Sequence, residues 1–227
     1  MWSLTAGIVM MGVVKLFLCG DVMTGRGIDQ VLPHPSVPTI YEPYLENAGA
    51  YVELAEQVNG PIPKPADYIY VWGDALEELE KTPTDVKLIN LETSITKSEE
   101  YWPGKGINYR MHPKNVPFLT EAGIDVCALA NNHGLDWSCS GLTETLATLN
   151  HVDVKSAGAG ASLEEAQRPA VVNTAGKKSR VIVVSCGHTS SGIPRSWAAD
   201  ENRKTITKES ADSKTFAATS LSCTLSP

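Results

Sequence analysis

Three short apolar runs, at residues 13–19, 86–91 and 124–130, each end in a cluster of polar residues, and between them apolar residues recur at helical spacing. Runs this short and this rich in β-branched side chains read as strands buried on both faces of a parallel sheet. Parallel neighbours need a long crossover, and the intervening helical patterns supply it. The chain is therefore read as α/β with a mostly parallel central sheet. In such sheets ligands gather in the crevice beyond the carboxyl ends of the strands, so the polar tips are where chemistry is expected.

The rest of the chain supports that organisation. Tyr44, Leu45, Ala48, Tyr51, Val52, Ala55 and Val58 share a helical spacing that Gly60 and Pro61 terminate. Residues 73–81, 113–122 and 141–149 read as further helices, the second with proline in its first turn and Gly123 at its end. Ser162 and Glu165 have the spacing of a capping box. Residues 171–173 and 181–185 flank Gly176, Lys177 and Lys178 in the manner of a hairpin. A domain over 14–200 follows, within the ordinary size of one core. In the tail, 205–227, ten of 23 residues are Ser or Thr. So little apolar surface cannot offset the entropy of ordering, and the tail is expected to be disordered.

Charge and cysteine usage exclude several classes. With 19 basic against 26 acidic residues the net charge is -7, which lacks the basic surplus of a nucleic-acid binder. The five cysteines are odd in number and form no C-x-x-C pair, against both a zinc ribbon and a disulfide framework. Reduced thiols in the cytoplasm are the expectation. Residues 1–14 are apolar and uncharged but lack a basic leader and are too short to span a bilayer before Lys15 interrupts them. They read either as a degenerate signal segment or as an extension upstream of a chain starting near Met11. No membrane partner is assigned.

The strand tips carry Asp21, then Asn90 with Glu92, then Asn132 with His133 and Asp136. Carboxylates, amide oxygens and an imidazole suit divalent ions such as manganese, iron, zinc or magnesium. Each residue alone has a plainer reading: Asp21 as a turn cap, Asn132 in a left-handed turn, His133 as a satisfied structural histidine, Glu92 as a solvated surface group. Their shared position at strand ends raises the joint reading above the separate ones. Arg26, Lys105 and Arg110 are cations able to hold an anionic group beside a metal, or else solvated surface charge. Residues 20–27, G-D-V-M-T-G-R-G, mimic the front of a P-loop, but Arg26 and Gly27 stand where lysine and a hydroxyl are required.

Taken in order, Leu18-Cys19-Gly20-Asp21-Val22-Met23, Asn90-Leu91-Glu92-Thr93, Tyr109-Arg110, Leu129-Ala130-Asn131-Asn132-His133 with Asp136, and Ala157-Gly158-Ala159-Gly160 resemble the CapA family of capsule and poly-gamma-glutamate synthesis proteins, a branch of the calcineurin-like metallophosphoesterases. The resemblance covers about residues 14–200. It implies a four-layer sandwich, of which this chain holds part, with a metal centre at the strand ends. It also implies that Asp21, Glu92 or Asn90, and Asn132 ligate metal, and that His133 serves as acid or phosphate contact. Family members continue through a His-Trp-Gly motif and a later Gly-His motif that this sequence lacks, so a C-terminally truncated domain is expected. Two-metal hydrolysis of a phosphate ester or other anionic polymer substrate is implied only for a complete domain, with weak metal binding for this chain. The alternative is a non-catalytic module that binds an anion or polymer.

Overall fold

The computed structural model describes residues 13–174 and 179–199, together with the backbone of 205–206 and 221–224. Strand β1 (Leu16–Val22) leads through a glycine-rich loop into the short helix α1 (Gly27–Val31). A hairpin, β2 (Thr39–Glu42) and β3 (Leu45–Asn47), then precedes α2 (Gly49–Asn59). The helix expected from Tyr44 thus starts five residues later. Pro43 and Tyr44 turn the chain between the two hairpin strands, and Tyr44 stands exposed instead of facing the core. At the other end Gly60, at φ 82°, closes α2 with its N–H on the Glu56 carbonyl, a conformation that suits glycine.

Helix α3 (Tyr68–Trp72) is capped by Asp67, whose carboxylate accepts from the Tyr70 N–H, and is followed by α4 (Ala75–Lys81). Then come β4 (Val86–Leu91), β5 (Ser94–Ile95), β6 (Arg110–Met111), the proline-led α5 (Pro117–Glu121), β7 (Val126–Ala128) and α6 (Ser138–His151). Strands β8 (Lys155–Ala157) and β9 (Ala159–Gly160) precede α7 (Leu163–Gln167). The expected cap of α7 is present: Ser162 Oγ accepts from the Glu165 N–H, and the Glu165 carboxylate accepts from the Ala161 N–H. Strands β10 (Ala170–Asn173) and β11 (Arg180–Val183) pair antiparallel, while the turn expected at Gly176 to Lys178 lies outside the described residues.

The central sheet is parallel throughout, in the order β1-β4-β7-β8. One face, through Ile89, Leu91, Cys127 and Leu129, packs on Phe118, Leu119, Leu142 and Leu149 of α5 and α6. The other, through Val86, Leu88, Val126, Ala128 and Ala157, packs on Ala170, Val181 and Val183 of the second sheet. Helix layer, parallel sheet and second sheet are thus three layers of the expected α/β sandwich. Strand β1 departs from its expected burial: it occupies an edge of the sheet, and Leu18 is 53% exposed. Only a strand flanked on both sides and covered on both faces reads and behaves as fully buried.

Within 205–227, the segment expected to be disordered, two short strands are described. β12 (Thr205–Ile206) pairs with β9, and β13 (Leu221–Thr224) extends the second sheet alongside β11. The remainder of the tail lies outside the described residues.

Candidate functional site

Parallel register brings the strand tips together. A bulge between Cys19 and Asp21 resets β1 so that Asp21 sits opposite Asn90 of β4, and Asn90 sits opposite Ala128 of β7. Asn90 donates from Nδ2 to Asp21 Oδ1 at 2.6 Å and accepts at Oδ1 from Asn131 Nδ2 at 2.9 Å. Asn131 also donates to the Leu91 carbonyl, and its Oδ1 accepts from the His133 N–H at 3.0 Å. Two carboxamides therefore link the carboxylate of Asp21 to the backbone of His133. Asn131 was not among the residues expected to act. The Asn131-Asn132 doublet marks the place in the sequence, but not which member turns inward.

Beyond Asn131, the imidazole of His133 is almost wholly buried and held on three sides. Its Nδ1 lies 2.7 Å from Asp136 Oδ2, which also accepts from the Tyr109 N–H at 2.6 Å. Tyr109 stacks on the imidazole with ring centroids 4.0 Å apart. Lys105 Nζ sits 2.6 Å from Asp136 Oδ1, a contact of charge without the alignment of a hydrogen bond, and 3.0 Å from His133 Nδ1. Nδ1 thus lies between the Asp136 carboxylate and the Lys105 ammonium, while Nε2 faces Glu92, whose Oε1 is 4.0 Å away. Asp136 is fully buried, and the ammonium beside it supplies the compensation such a charge requires. Burial is the main influence raising the Glu92 carboxyl above its ordinary value, opposed by His133 and Lys105 and reinforced by Asp21 and Asp136.

Asp21, Asn90, Glu92 and Asn132 line one cavity of about 530 Å³ at the sheet's carboxyl edge, with Ser185 and Cys186 across from them. The Asn132 carboxamide has no hydrogen-bond partner among the described residues and rests against Gly192, whose φ of 81° brings the backbone close. Two carboxylates and an amide oxygen are hard donors, a chemistry that fits a magnesium- or manganese-like ion. Among the described residues no group of three or more His, Cys, Asp or Glu is placed to hold a metal. Asn90 is committed at both ends of its carboxamide and orients Asp21.

The three cations expected to bind an anion are dispersed. Lys105 is in the cluster but spends its charge on Asp136. Arg110 is buried away from it, donating to the Ser98 and Val37 carbonyls and lying 4.0 Å over the Trp137 ring. Arg26 is separated from His133 by Tyr109 and pairs with Glu42 at 2.6 Å. Among the other histidines, His188 caps a short 3-10 turn by accepting from the Ser190 N–H. No helix of the described residues is long and apolar enough to cross a membrane.

The sequence model of the family described as "Bacterial capsule synthesis protein PGA_cap" matches residues 15–224. The "Probable polyglutamine synthesis accessory protein" of Mycobacterium tuberculosis is 54% identical over 191 residues, which is 84% of this chain and 50% of that relative. The PGA biosynthesis protein CapA of Bacillus subtilis is 24% identical over 157 residues, 69% of this chain and 33% of its own length. An uncharacterized protein of Sinorhizobium fredii is 33% identical over 124 residues, 51% of this chain and 25% of that protein. The chain spans about half the length of the mycobacterial relatives it matches.

Proposed function

Because the chain belongs to the bacterial capsule synthesis protein PGA_cap family, we propose that its crevice binds a divalent cation through Asp21, Glu92 and Asn132 and presents a phosphate-bearing or polyanionic substrate of capsule or polyglutamate assembly to His133. The observation that carries this reading is the tie between Asp21 and His133 through Asn90 and Asn131, which holds a hard-oxygen cluster and a buried imidazole in one frame. A cation bound there supplies positive charge to an oxyanion and acidifies water. The protein's own part is positional. Asn90 aims the Asp21 carboxylate, while Asp136 and Tyr109 fix the ring of His133, so that Nε2 gives or takes a proton on the Glu92 side. Phosphate-ester hydrolysis is assigned to the full-length protein. With only Asp21, Glu92 and Asn132 as ligands, these 227 residues bind the cation weakly and turn over little substrate.

The test is calorimetric titration of manganese into the purified chain, beside turnover of an aryl phosphate. Saturable binding that Asp21→Ala abolishes, with the fold unchanged by circular dichroism, is the expected result. Identical manganese isotherms for the chain and for Asp21→Ala would overturn the assignment. They would favour a module that recognises its anion without metal.

A further inference from the structure

Beside α1 and α2 lies a second cavity, of about 400 Å³, which the crevice chemistry does not use. That volume is within the usual range of small-molecule pockets, roughly 300–1,000 Å³. Its walls are apolar: Ile28, Val52, Ala55 and Ile62, with Tyr70 and Val71 from α3. Among the described residues that line it, Arg26 is the one charged side chain.

Arg26 is held there at some cost to the backbone. It has φ 52°, an uncommon conformation for a residue with a side chain, and such residues persist where their surroundings over-determine them. Here the buried carboxylate of Glu42 accepts from Arg26 Nε at 2.6 Å and also from the Tyr51 hydroxyl. The guanidinium carbon lies 4.9 Å from the Tyr51 ring and 5.1 Å from the Tyr109 ring. Both Nη atoms are left with no hydrogen-bond partner among the described residues. A guanidinium clamped through Nε at the rim of an apolar cavity keeps its two Nη donors as one planar fork. Glu42 already compensates the guanidinium charge, so the site matches a monoanion better than a dianionic phosphate.

We propose that this cavity binds the carboxylate end of an aliphatic chain, its head on the Arg26 Nη atoms and its stem against the apolar walls. The site is independent of any cation at Asp21, and its test is run without metal.

Octanoate is titrated into the 227-residue protein by calorimetry, with 1-octanol as the uncharged control. One saturable site for octanoate is expected, with octanol weaker by about tenfold to hundredfold, the range set by a charge-assisted hydrogen-bond pair. Arg26→Met, paired with Glu42→Gln so that no buried carboxylate is stranded, brings octanoate down to the affinity of octanol. Ala55→Phe fills the cavity while leaving the Arg26–Glu42 pair in place, and it removes binding of both. Equal affinities for octanoate and octanol, or octanoate binding unchanged in either variant, would overturn the proposal. Because no manganese is present, failure here leaves the Asp21 test untouched, and the reverse holds as well.

Discussion

Two buried carboxylates, Asp29 and Asp136, serve the same molecule in opposite ways. Asp29 is 1% exposed and accepts only from neutral donors: the Ser36 and His112 N–H groups, Asn115 Nδ2 and Gln30 Nε2. All of its bonds go to pinning the loop after α1 to the segment that leads into α5, and burial pushes its carboxyl above the ordinary range. Asp136 is 0% exposed yet faces Lys105 and His133. A buried carboxylate surrounded by amides is a staple; Asp136 is a buried charge matched to an ammonium and set against an imidazole. The difference separates two kinds of buried acid by the charge of their partners.

The largest expected effect tests that separation directly. Asp136→Asn leaves the half-buried ammonium of Lys105 with the Ile107 carbonyl but no carboxylate, and breaking a buried pair costs about 3–5 kcal/mol at most. Asp29→Asn strands no charge. The new NH2 group faces two donors it cannot pair with, a loss of about 1–3 kcal/mol. Urea denaturation of both variants gives the ranking. A cost at Asp29 equal to or above that at Asp136 breaks the comparison. A smaller effect sharpens it: Lys105→Met combined with Asp136→Asn removes both charges, so the double variant is more stable than the sum of the singles by about 0.5–3 kcal/mol. Strict additivity in the cycle would show that the 2.6 Å contact carries no coupling.

The same contrast explains what could be read in the sequence and what could not. That Asp21, Asn90, Glu92, Asn132, His133 and Asp136 share one edge follows from parallel strands ending together, and that much is legible from three apolar runs with polar tips. Which way each side chain turns is not. Asn131, and not its neighbour, closes the bridge to Asn90, because the turn after β7 decides the orientation within the doublet. Arg110 is indistinguishable from Arg26 as a letter, yet it lies over Trp137 with its donors on backbone carbonyls. The partner of Lys105 is 31 positions away across two loops, where no periodicity reports contact. Likewise the apolar run of β1 resembles that of β4, but only the neighbours in space determine which of the two becomes an edge.

The smallest effect concerns the loop that Asp29 staples, and it distinguishes that region by pH. His112 is held below the ordinary imidazole value of 6.5 by burial first, with His34, Lys114 and Lys97 acting in the same direction and Asp29 opposing them. Its Nδ1 accepts from the Lys114 N–H at 3.1 Å, a bond that a proton on that nitrogen displaces. Between the folded value and 6.5 the unfolded chain binds more protons at this site than the folded one, so stability rises with pH across that window. As pH falls through 6.5 the contribution is lost, and it levels off below the folded value. His112 is partly exposed, so solvent screening keeps the loss below about 1 kcal/mol. His112→Asn keeps an oxygen in place to accept from the Lys114 N–H and removes the titration. Thermal melts between pH 5 and 7 should therefore fall less steeply with acid in the variant than in the native chain. Parallel slopes would mean that the imidazole titrates alike in the folded and unfolded states.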